Sequence, residues 1–325
     1  MKPDQNSTPP SAPAWSVLKA MHLGKRERQE DAAGFWEKID DGILFAVVAD
    51  GAGGHGGGAE ASTAAVAEAE KCWQAWTGQG STPEFLADWM SKAHDAVNRS
   101  VRHLHADART VAVALLVHGN RADWVHAGDC RLYHFRQGKL LSRTRDDSVV
   151  QVLFEKGEIA EEEMGTHEDQ NRLLQAIGGS EPPKPRHGGA DIEPEDVLIL
   201  CSDGFWERLK PEEIAELVIT PRNLRSEALE KALQLAVDRG AAKADNASVI
   251  MTCFDEKNPS QASPSTRRGC RGPLVFLILA AVAALAAFGL FREQFTRLWQ
   301  KCSTPVVQPP LPEPAKVNQS PQTNQ

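Results

Sequence analysis

The chain has 325 residues, 41% of them hydrophobic and 25% charged, so it is long enough to form a full hydrophobic core. Its formal net charge of −8 argues against a general nucleic-acid-binding protein, because contacts with phosphates require clustered Lys and Arg side chains. The six cysteines form no C-x-x-C pair, so the pattern indicates neither a zinc knuckle nor a disulfide scaffold, and we expect a reducing compartment.

The chain begins with a polar segment. Residues 1–14 are rich in Pro, Ser and Asn and contain no apolar h-region, so we predict a disordered start and no signal peptide. The next stretch, RERQEDAAGFW, places Glu30 and Asp31 ahead of a short apolar run. These two carboxylates are the first candidate ligands of a site.

The stretch FAVVADGAGGHGGGAEAS, residues 45–62, joins an apolar run to a glycine-rich turn through one acidic residue. The apolar run is typical of a buried strand, and its β-branched valines favour a strand over a helix. We expect the strand to stop at Asp50. The glycines that begin at Gly51 allow a positive φ and leave room for another group to approach the backbone. Such a turn suits a cation, an anion or a simple bend.

Helical and hairpin signals alternate through the middle of the chain. Segments 58–76 and 83–105 are predicted helices, and Pro83 is well placed to start the second of them. Hairpin-like turns occur at 118–120 and 136–139, between strand-like runs. Strands grouped around hairpins, with long helices between the groups, indicate an α+β fold.

The pattern of a strand ending in an aspartate returns three times. RADWVHAGD ends at Asp129, and VLILCSDG reaches Asp203 just after its apolar run. ADNASVIMTCF places Asp245 just before a strand, and an antiparallel strand can deliver that carboxylate to the same edge. Any one of these motifs alone is more simply a turn, because Asp-Gly and Gly-Asp are common turn dipeptides.

Together these motifs supply six candidate carboxylates. Converging carboxylates repel one another strongly in a partly buried site unless a cation neutralises them. Ligand sets made only of oxygen select hard ions such as Mg²⁺ or Mn²⁺ rather than zinc. The recurrence of four strand-edge aspartates in one domain therefore favours a metal site over four unrelated turns.

The C-terminal part contains a long apolar segment. A polar linker, 257–273, precedes the 18 uncharged apolar residues 274–291, which we predict to be a transmembrane helix. The alternative is a buried core helix, since 18 residues is near the lower limit for a span. Arg and Lys flank both ends, so loop charge does not decide the orientation. The tail, 292–325, is basic and then rich in Pro and Gln, and we predict that it is disordered.

The order and spacing of the motifs resemble the metal-dependent serine/threonine protein phosphatases of the protein phosphatase 2C group, in their bacterial form. The resemblance covers about residues 15–254 and is carried by seven segments in one order. They are Arg26-x-x-Gln29-Glu30-Asp31, VVADGAGGHGGGAEAS, HAGDCR, RDDSVVQVLFEKGEI, NRLLQAIGG, CSDGFWE and ADNASVI.

The resemblance implies a two-sheet antiparallel β-sandwich flanked by helices, formed by a phosphatase domain over residues 15–256. It also implies a centre of two Mn²⁺ or Mg²⁺ ions, with a third in bacterial members. In this sequence Asp50 would bridge both metals, and the Gly51 carbonyl would bind the first. The remaining expected ligands are Asp203 and Asp245 for the second metal, Glu30 and Asp31 largely through water, and Asp129 with Asp203 for the third metal.

The implied reaction is attack on phosphorus by a water or hydroxide that bridges two metal ions. Arg26 matches the phosphate-binding position, where a planar guanidinium can bind two oxygens of a phosphoryl group. By itself Arg26 is better explained as a solvated charge beside Lys25 and Arg28. Its register with Glu30 and Asp31 favours the functional interpretation.

The sequence departs from the family pattern at three places. Many eukaryotic members carry a His after the metal-binding Asp-Gly, whereas this chain has Ala52, so the acid for the leaving group is unassigned, and His55 is as well explained as an exposed loop residue. Residues 108–110 are Ala-Arg-Thr where the family often has Gly-Thr-Thr. Residues 145–171 align with the variable flap segment, and their acidic run AEEEMGTHEDQ is more typical of a solvated face than of a recognition surface.

Other chemistries find less support in the sequence. Cys201 and Arg208 are separated by six residues rather than the five of a cysteine-phosphatase loop, and Asp203 and Glu207 between them would oppose an anion. The chain also lacks a Gly-x-Ser-x-Gly elbow and a Lys-containing phosphate loop. A catalytically weak phosphatase-like module that binds a phosphoprotein or another partner is the main alternative. We expect a single-pass protein of the cell (inner) membrane with its catalytic domain in the cytoplasm, where it opposes a serine/threonine kinase.

Overall fold

The computed structural model describes residues 14–53, 57–104 and 108–255. The strands in this part of the chain are β1 Ala14–His22, β2 Asp31–Lys38, β3 Ile43–Ala52, β4 Arg109–His118, β5 Arg121–Ala127, β6 Arg131–Arg136, β7 Lys139–Arg143, β8 Arg186–Asp191, β9 Asp196–Cys201 and β10 Ala247–Asp255. The helices are α1 Gly57–Ala75, α2 Thr82–Val101, α3 Val149–Glu155, α4 Asp203–Trp206, α5 Pro211–Ile219 and α6 Arg225–Gly240.

The strands form two five-stranded sheets that pack face to face. One sheet has the order β1-β10-β9-β6-β7 and the other β2-β3-β4-β5-β8. All of the paired strands are antiparallel. This arrangement confirms the predicted two-sheet antiparallel architecture with helices.

Strand β3 shows why its sequence is a continuous apolar run rather than an alternating one. Leu44, Ala46 and Val48 face the opposite sheet, in a core that also contains Leu200 and Ile250. The residues between them face the other way, toward a second core formed with helices α1 and α2. Both faces of the strand are therefore buried, and both need apolar side chains.

Helices cover the outer face of each sheet. Helices α1 and α2 pack on the β3 sheet around Phe45, which is stacked with Trp36 and in edge contact with Phe85. Helices α4, α5 and α6 pack on the other sheet through a separate core that includes Phe205 and Leu233. The described residues thus form four layers, with the two sheets inside.

The predicted helices agree with the observed ones to within a few residues. The segment predicted at 58–76 is α1, and α2 covers most of the segment predicted at 83–105, continuing into a 3-10 turn over Arg102–Leu104. The Ser81 hydroxyl accepts a hydrogen bond from the Glu84 amide at 3.4 Å and caps α2. Pro83 lies in the first turn of α2, where its missing N–H costs no helical hydrogen bond.

The terminal segments lie largely outside the described residues. Strand β1 begins at Ala14, the last residue of the segment predicted to be disordered, and β10 ends at Asp255, beside the predicted domain boundary at 256. Among the residues with described structure, no helix is long and apolar enough to cross a membrane. Linker 257–273, segment 274–291 and tail 292–325 fall outside this part, and their assignments stay predictions.

Candidate metal centre

Strands β2 and β3 bring the first two candidate carboxylates together. In the antiparallel register of these strands, Asp31 is the direct partner of Asp50. Asp31 is the first residue of β2, and Asp50 lies near the end of β3, so both carboxylates lie at the same edge of the sheet. The Thr110 hydroxyl donates a hydrogen bond of 2.6 Å to the Asp50 carbonyl and fixes this edge against β4.

The glycines after Asp50 let helix α1 start directly against the strand end. A Cβ atom on Gly51 would lie 2.1 Å from the carbonyl oxygen of Gly58, a distance that no side chain tolerates. The Gly51 amide also donates a hydrogen bond of 3.1 Å to the Glu30 carbonyl. Glycine at positions 51 and 58 is therefore a packing requirement for close backbone approach, and the Gly51 amide holds Glu30 next to Asp50.

The second sheet supplies Asp203 and Asp245. Strand β9 ends just before Asp203 and the antiparallel strand β10 begins just after Asp245, so neighbouring strand ends place both residues at one edge. The Ser202 hydroxyl donates to Asp31 Oδ2 at 2.7 Å and accepts from the Ser248 amide at 2.9 Å. Ser202 thus links the edges of the two sheets.

Asp129 follows the end of strand β5 and approaches the site from beneath α4. It is 7% exposed, and its carbonyl accepts a hydrogen bond of 3.0 Å from Trp206 Nε1. The guanidinium of Arg131 stacks on the same Trp206, with its central carbon 3.3 Å from the ring centroid. Arg131 is itself held by a buried ion pair with Asp146, 2.7 Å between Nη2 and Oδ2.

The aspartates of this centre carry an unfavourable concentration of negative charge. Loss of water, reinforced by the neighbouring carboxylates, raises the pKa of Asp50 and Asp129 well above the usual value. The same causes raise the pKa of Asp203, and burial raises the pKa of Asp31 to about 7 against the opposing hydrogen bond from Ser202. Groups in such surroundings need either protons or a cation.

Unsatisfied oxygen atoms show that these residues fit a hard metal ion. Asp31 Oδ1 and Asp203 Oδ1 are buried and accept no hydrogen bond from any described residue. Carboxylate oxygens in this state are ligands that Mn²⁺ and Mg²⁺ prefer. As the side chains stand, no three Asp, Glu, His or Cys residues of the described ranges already converge closely enough to hold a metal.

Two of the predicted site residues, Arg26 and Glu30, lie at the solvent-exposed rim of the centre. Arg26 Nη2 lies 2.5 Å from Asp245 Oδ2, and their side chains are 54% and 39% exposed. This hydrogen bond raises the pKa of the Arg26 guanidinium, which stays charged. Glu30 is partly buried, and burial is the main cause that raises its pKa.

Three residues that the sequence interpretation did not single out belong to this region. Asn246 Oδ1 accepts from the Glu30 amide at 2.7 Å and its Nδ2 donates to the Leu23 carbonyl at 2.8 Å, so it joins two loops of the site. Ser202 links the two sheets, as described above. Burial and the nearby aspartates raise the pKa of Glu207 to about 9. Glu207 follows Asp203 by one helical turn, and this spacing in the sequence indicates that the two side chains lie close together.

A cleft of about 480 Å³ opens beside the rim. Its lining includes Arg26, Asp203, Glu207 and Asp245, together with Lys25 and Lys243. A smaller cavity of about 250 Å³ lies on the other side, lined by Ala52, Gly53 and Arg109 among others. His55 lies outside the described residues.

Comparisons with known proteins show similarity to one protein family. The family model described as protein phosphatase 2C matches residues 20–237. A serine/threonine phosphatase, stp, of Listeria monocytogenes is 30% identical over 210 residues, which cover 62% of this chain and 82% of the relative.

Solved structures are also similar. The serine/threonine phosphatase PstP/Ppp of Mycobacterium tuberculosis superposes with a TM-score of 0.65 at 26% identity, over 74% of this chain and 99% of that one. A structure of the catalytic domain of PstP in complex with two manganese ions superposes with a TM-score of 0.63 at 26% identity, over the same shares of the two chains.

Proposed function

The chain belongs to the protein phosphatase 2C family and is a serine/threonine protein phosphatase; from this premise we propose that its carboxylate centre binds Mn²⁺ or Mg²⁺ to hydrolyse phosphoserine and phosphothreonine in proteins. The observation that carries the proposal is the set of unpaired oxygens, Asp31 Oδ1 and Asp203 Oδ1, buried among like charges. A divalent cation is the group that best relieves such a site.

The proposed ligands divide between the two sheets. Asp50 would bridge two ions, with the Gly51 carbonyl on the first and Asp203 with Asp245 on the second. Glu30 would act through water. Asp129, together with Asp203, would hold a third ion. This division is supported by the placement of Asp50 on β3 and of Asp203 and Asp245 beside the ends of β9 and β10.

When bound, divalent ions of this kind lower the pKa of water toward neutrality and neutralise phosphate oxygens. The side chains of the centre have separate tasks. Arg26, at the rim, binds two oxygens of the phosphoryl group through its planar guanidinium and orients the phosphorus for attack. Asp31 Oδ2 is fixed by the Ser202 hydroxyl at 2.7 Å, which leaves Oδ1 to hold a water molecule of the centre and to accept its proton during attack, in keeping with a ligand that acts through water.

We also propose that segment 274–291 anchors the enzyme in the cell (inner) membrane with residues 15–256 in the cytoplasm, facing substrates of a serine/threonine kinase. The support is the length and apolar composition of this segment beyond a polar linker. A chain truncated to residues 1–256 should then be soluble and fully active, whereas the full chain should sediment with membranes. A truncated chain that folds but does not turn over would contradict a separable anchor.

The catalytic proposal is tested by hydrolysis of a phosphothreonine peptide by the full chain in detergent, first with EDTA and then with added Mn²⁺. Phosphate release that disappears with EDTA and returns with Mn²⁺ is the expected result. A folded protein that binds Mn²⁺ but releases no phosphate would favour a module that binds phosphoproteins without turning them over. In that case Ala52 and residues 108–110 would be the first positions to restore to the family pattern.

A further inference from the structure

The cleft beside Arg26 is larger than a single phosphate group needs. Its volume of about 480 Å³ falls in the range of pockets that enclose whole small ligands. Its lining combines the start of helix α4, the loops that carry Arg26 and Asp245, residues 170–171 and part of helix α6. A phosphorylated side chain bound at Arg26 would therefore leave room for part of a neighbouring residue.

The charges that line this cleft fall into two sets. Its three carboxylates, Asp203, Glu207 and Asp245, lie at or next to the candidate metal centre. Its four cations are Lys25, Arg26, Arg208 and Lys243. Once divalent ions neutralise the carboxylate set, the cations leave the cleft with a net positive charge.

Two of the four cations already have partners and two do not. Arg26 is paired with Asp245, and Arg208 Nη2 lies 3.7 Å from Glu207 Oε2. Lys25 and Lys243 are exposed, and within residues 14–53, 57–104 and 108–255 neither ammonium group has a carboxylate partner. These two lysines can therefore bind an anion without first giving up an ion pair.

The backbone holds the two lysines on one rim. The Lys25 amide donates a hydrogen bond of 2.9 Å to the carbonyl of Ala244, the residue after Lys243. Gly24 fits so closely against the same loop that a Cβ atom would lie 2.1 Å from the Asp245 carbonyl oxygen. The two loops are thus joined next to Arg26, and their lysines approach the cleft from the same side.

We propose that Lys25 and Lys243 form a subsite for a second anionic group of the substrate, a carboxylate or phosphate on a residue near the phosphothreonine or phosphoserine. This inference rests on the proposed phosphatase function and adds a substrate class to it, namely phosphoprotein segments with clustered negative charge. The interaction is between exposed charges, so it is moderate in strength and weakens with salt.

The test compares three phosphothreonine peptides with the Mn²⁺-loaded full chain in detergent. One peptide has neutral neighbours, the second has aspartate at neighbouring positions and the third has a phosphoserine there. Because phosphoserine is itself a proposed substrate, tandem mass spectrometry follows loss of phosphate from the threonine alone. We expect kcat/KM to be about three- to tenfold higher for the anionic peptides at low salt, mainly through KM, and the preference to shrink as salt is added. Equal gains for both anionic peptides indicate a general anion subsite, and a gain restricted to the phosphoserine peptide assigns it to phosphate.

Substitutions assign the preference to the two lysines. In K25A/K243A the ratio of kcat/KM between anionic and neutral peptides should fall toward one, and in K25E/K243E it should fall below one. The matched control is K71A/K92A, which removes the same charge from exposed positions on α1 and α2 and should keep the wild-type ratio.

A wild-type ratio of one, or an unchanged ratio in both lysine double variants, would overturn the subsite. Either result, obtained with normal turnover of the neutral peptide, leaves the phosphatase function intact. Absence of metal-dependent turnover of the neutral peptide would instead contradict the proposed function itself.

Discussion

The candidate metal centre has a buried inner wall and a solvent-exposed outer wall, and the two walls differ in how their charges are neutralised. On the inner wall, Asp31 and Asp129 are buried, and neighbouring carboxylates crowd them. On the outer wall, Arg26 and Asp245 are about half exposed and neutralise each other. The inner wall has an excess of negative charge that protons or cations must neutralise, whereas Arg26 and Asp245 of the outer wall form an exposed ion pair.

This difference separates two kinds of function within one cleft. Residues of the inner wall should control metal binding and the chemical step, because their charges interact strongly in a poorly solvated place. On the outer wall, Arg26 should control substrate affinity, because solvent weakens its interaction with the phosphoryl group. Substitutions on the two walls should therefore change different kinetic quantities.

The largest effect is expected for Asp203→Asn on the inner wall. The change removes a ligand charge without changing the side-chain shape, and we expect kcat to fall by about 10³-fold or more. Thermal stability without metal should be unchanged or higher, because one repelling carboxylate is gone. Phosphate-release kinetics and thermal unfolding measure the two effects. Asp40→Asn, at an exposed turn, is the control, and wild-type turnover by Asp203→Asn would refute the ligand assignment.

A smaller effect is expected for Arg26→Ala on the outer wall. Loss of the guanidinium should lower kcat/KM by about ten- to a hundredfold, and Arg26→Lys should restore part of it, because a lysine supplies charge without the planar pair of donors. Steady-state kinetics on a phosphothreonine peptide measure both variants. Arg28→Ala removes an exposed neighbouring charge and should be nearly silent. Equal losses of kcat/KM in Arg26→Ala and Arg28→Ala would mean that Arg26 acts only through its positive charge and not by binding the phosphoryl group directly.

Trp206→Phe tests whether the Trp206 side chain positions Asp129 of the inner wall. The variant loses the hydrogen bond from Trp206 Nε1 to the Asp129 carbonyl, 3.0 Å long, at a cost of about 1 kcal/mol in the free energy of unfolding. We also expect a several-fold rise in the Mn²⁺ concentration that gives half-maximal activity. Trp76→Phe loses a similar bond, 2.8 Å to the Gln79 carbonyl, far from Asp129. If both variants change the Mn²⁺ dependence, the effect of Trp206→Phe does not arise from its hydrogen bond to Asp129.

The smallest effect is expected at Glu213, away from both walls. The hydrogen bond from Arg239 lowers the pKa of Glu213 to about 2 in the folded protein. Because the folded pKa lies below the ordinary value of 4.5, this stabilisation is present above about pH 4.5 and is lost as the pH falls toward 2. For this partly exposed pair Glu213→Gln should cost less than about 1 kcal/mol near neutral pH, as measured by denaturant unfolding. Glu212→Gln on the same turn is the control, and a pH-independent loss would contradict the ion-pair explanation.

The elements that the sequence predicts well are those whose signals are local. Helix α1 is found within one residue of its predicted bounds, because a glycine-rich start and a long run of helix-forming residues mark it. Strand β3 is likewise marked by its apolar run. Its predicted end at Asp50 is wrong by two residues, because Gly51 and Ala52 remain paired with Thr110 and Arg109 of β4.

The contacts that the sequence leaves open are those made between distant segments. The pairing of Asp31 with Asp50 depends on the register of β2 against β3, and the hydrogen bond from Ser202 to Asp31 joins residues 171 positions apart. The ion pair of Arg26 with Asp245 spans 219 positions. No local pattern encodes these distances, so a sequence can nominate the carboxylates without showing which of them are crowded and which are paired.

The most direct test of the inner wall is a Mn²⁺ titration of thermal unfolding and of binding heat for the wild-type chain and for Asp50→Asn. If the crowded carboxylates form the metal centre, wild-type stability rises with Mn²⁺, by about 2.7 kcal/mol at one hundred times the dissociation constant, and the variant loses most of this gain. If Asp50→Asn binds Mn²⁺ and gains stability as the wild type does, the metal is held elsewhere and the account of this centre is wrong.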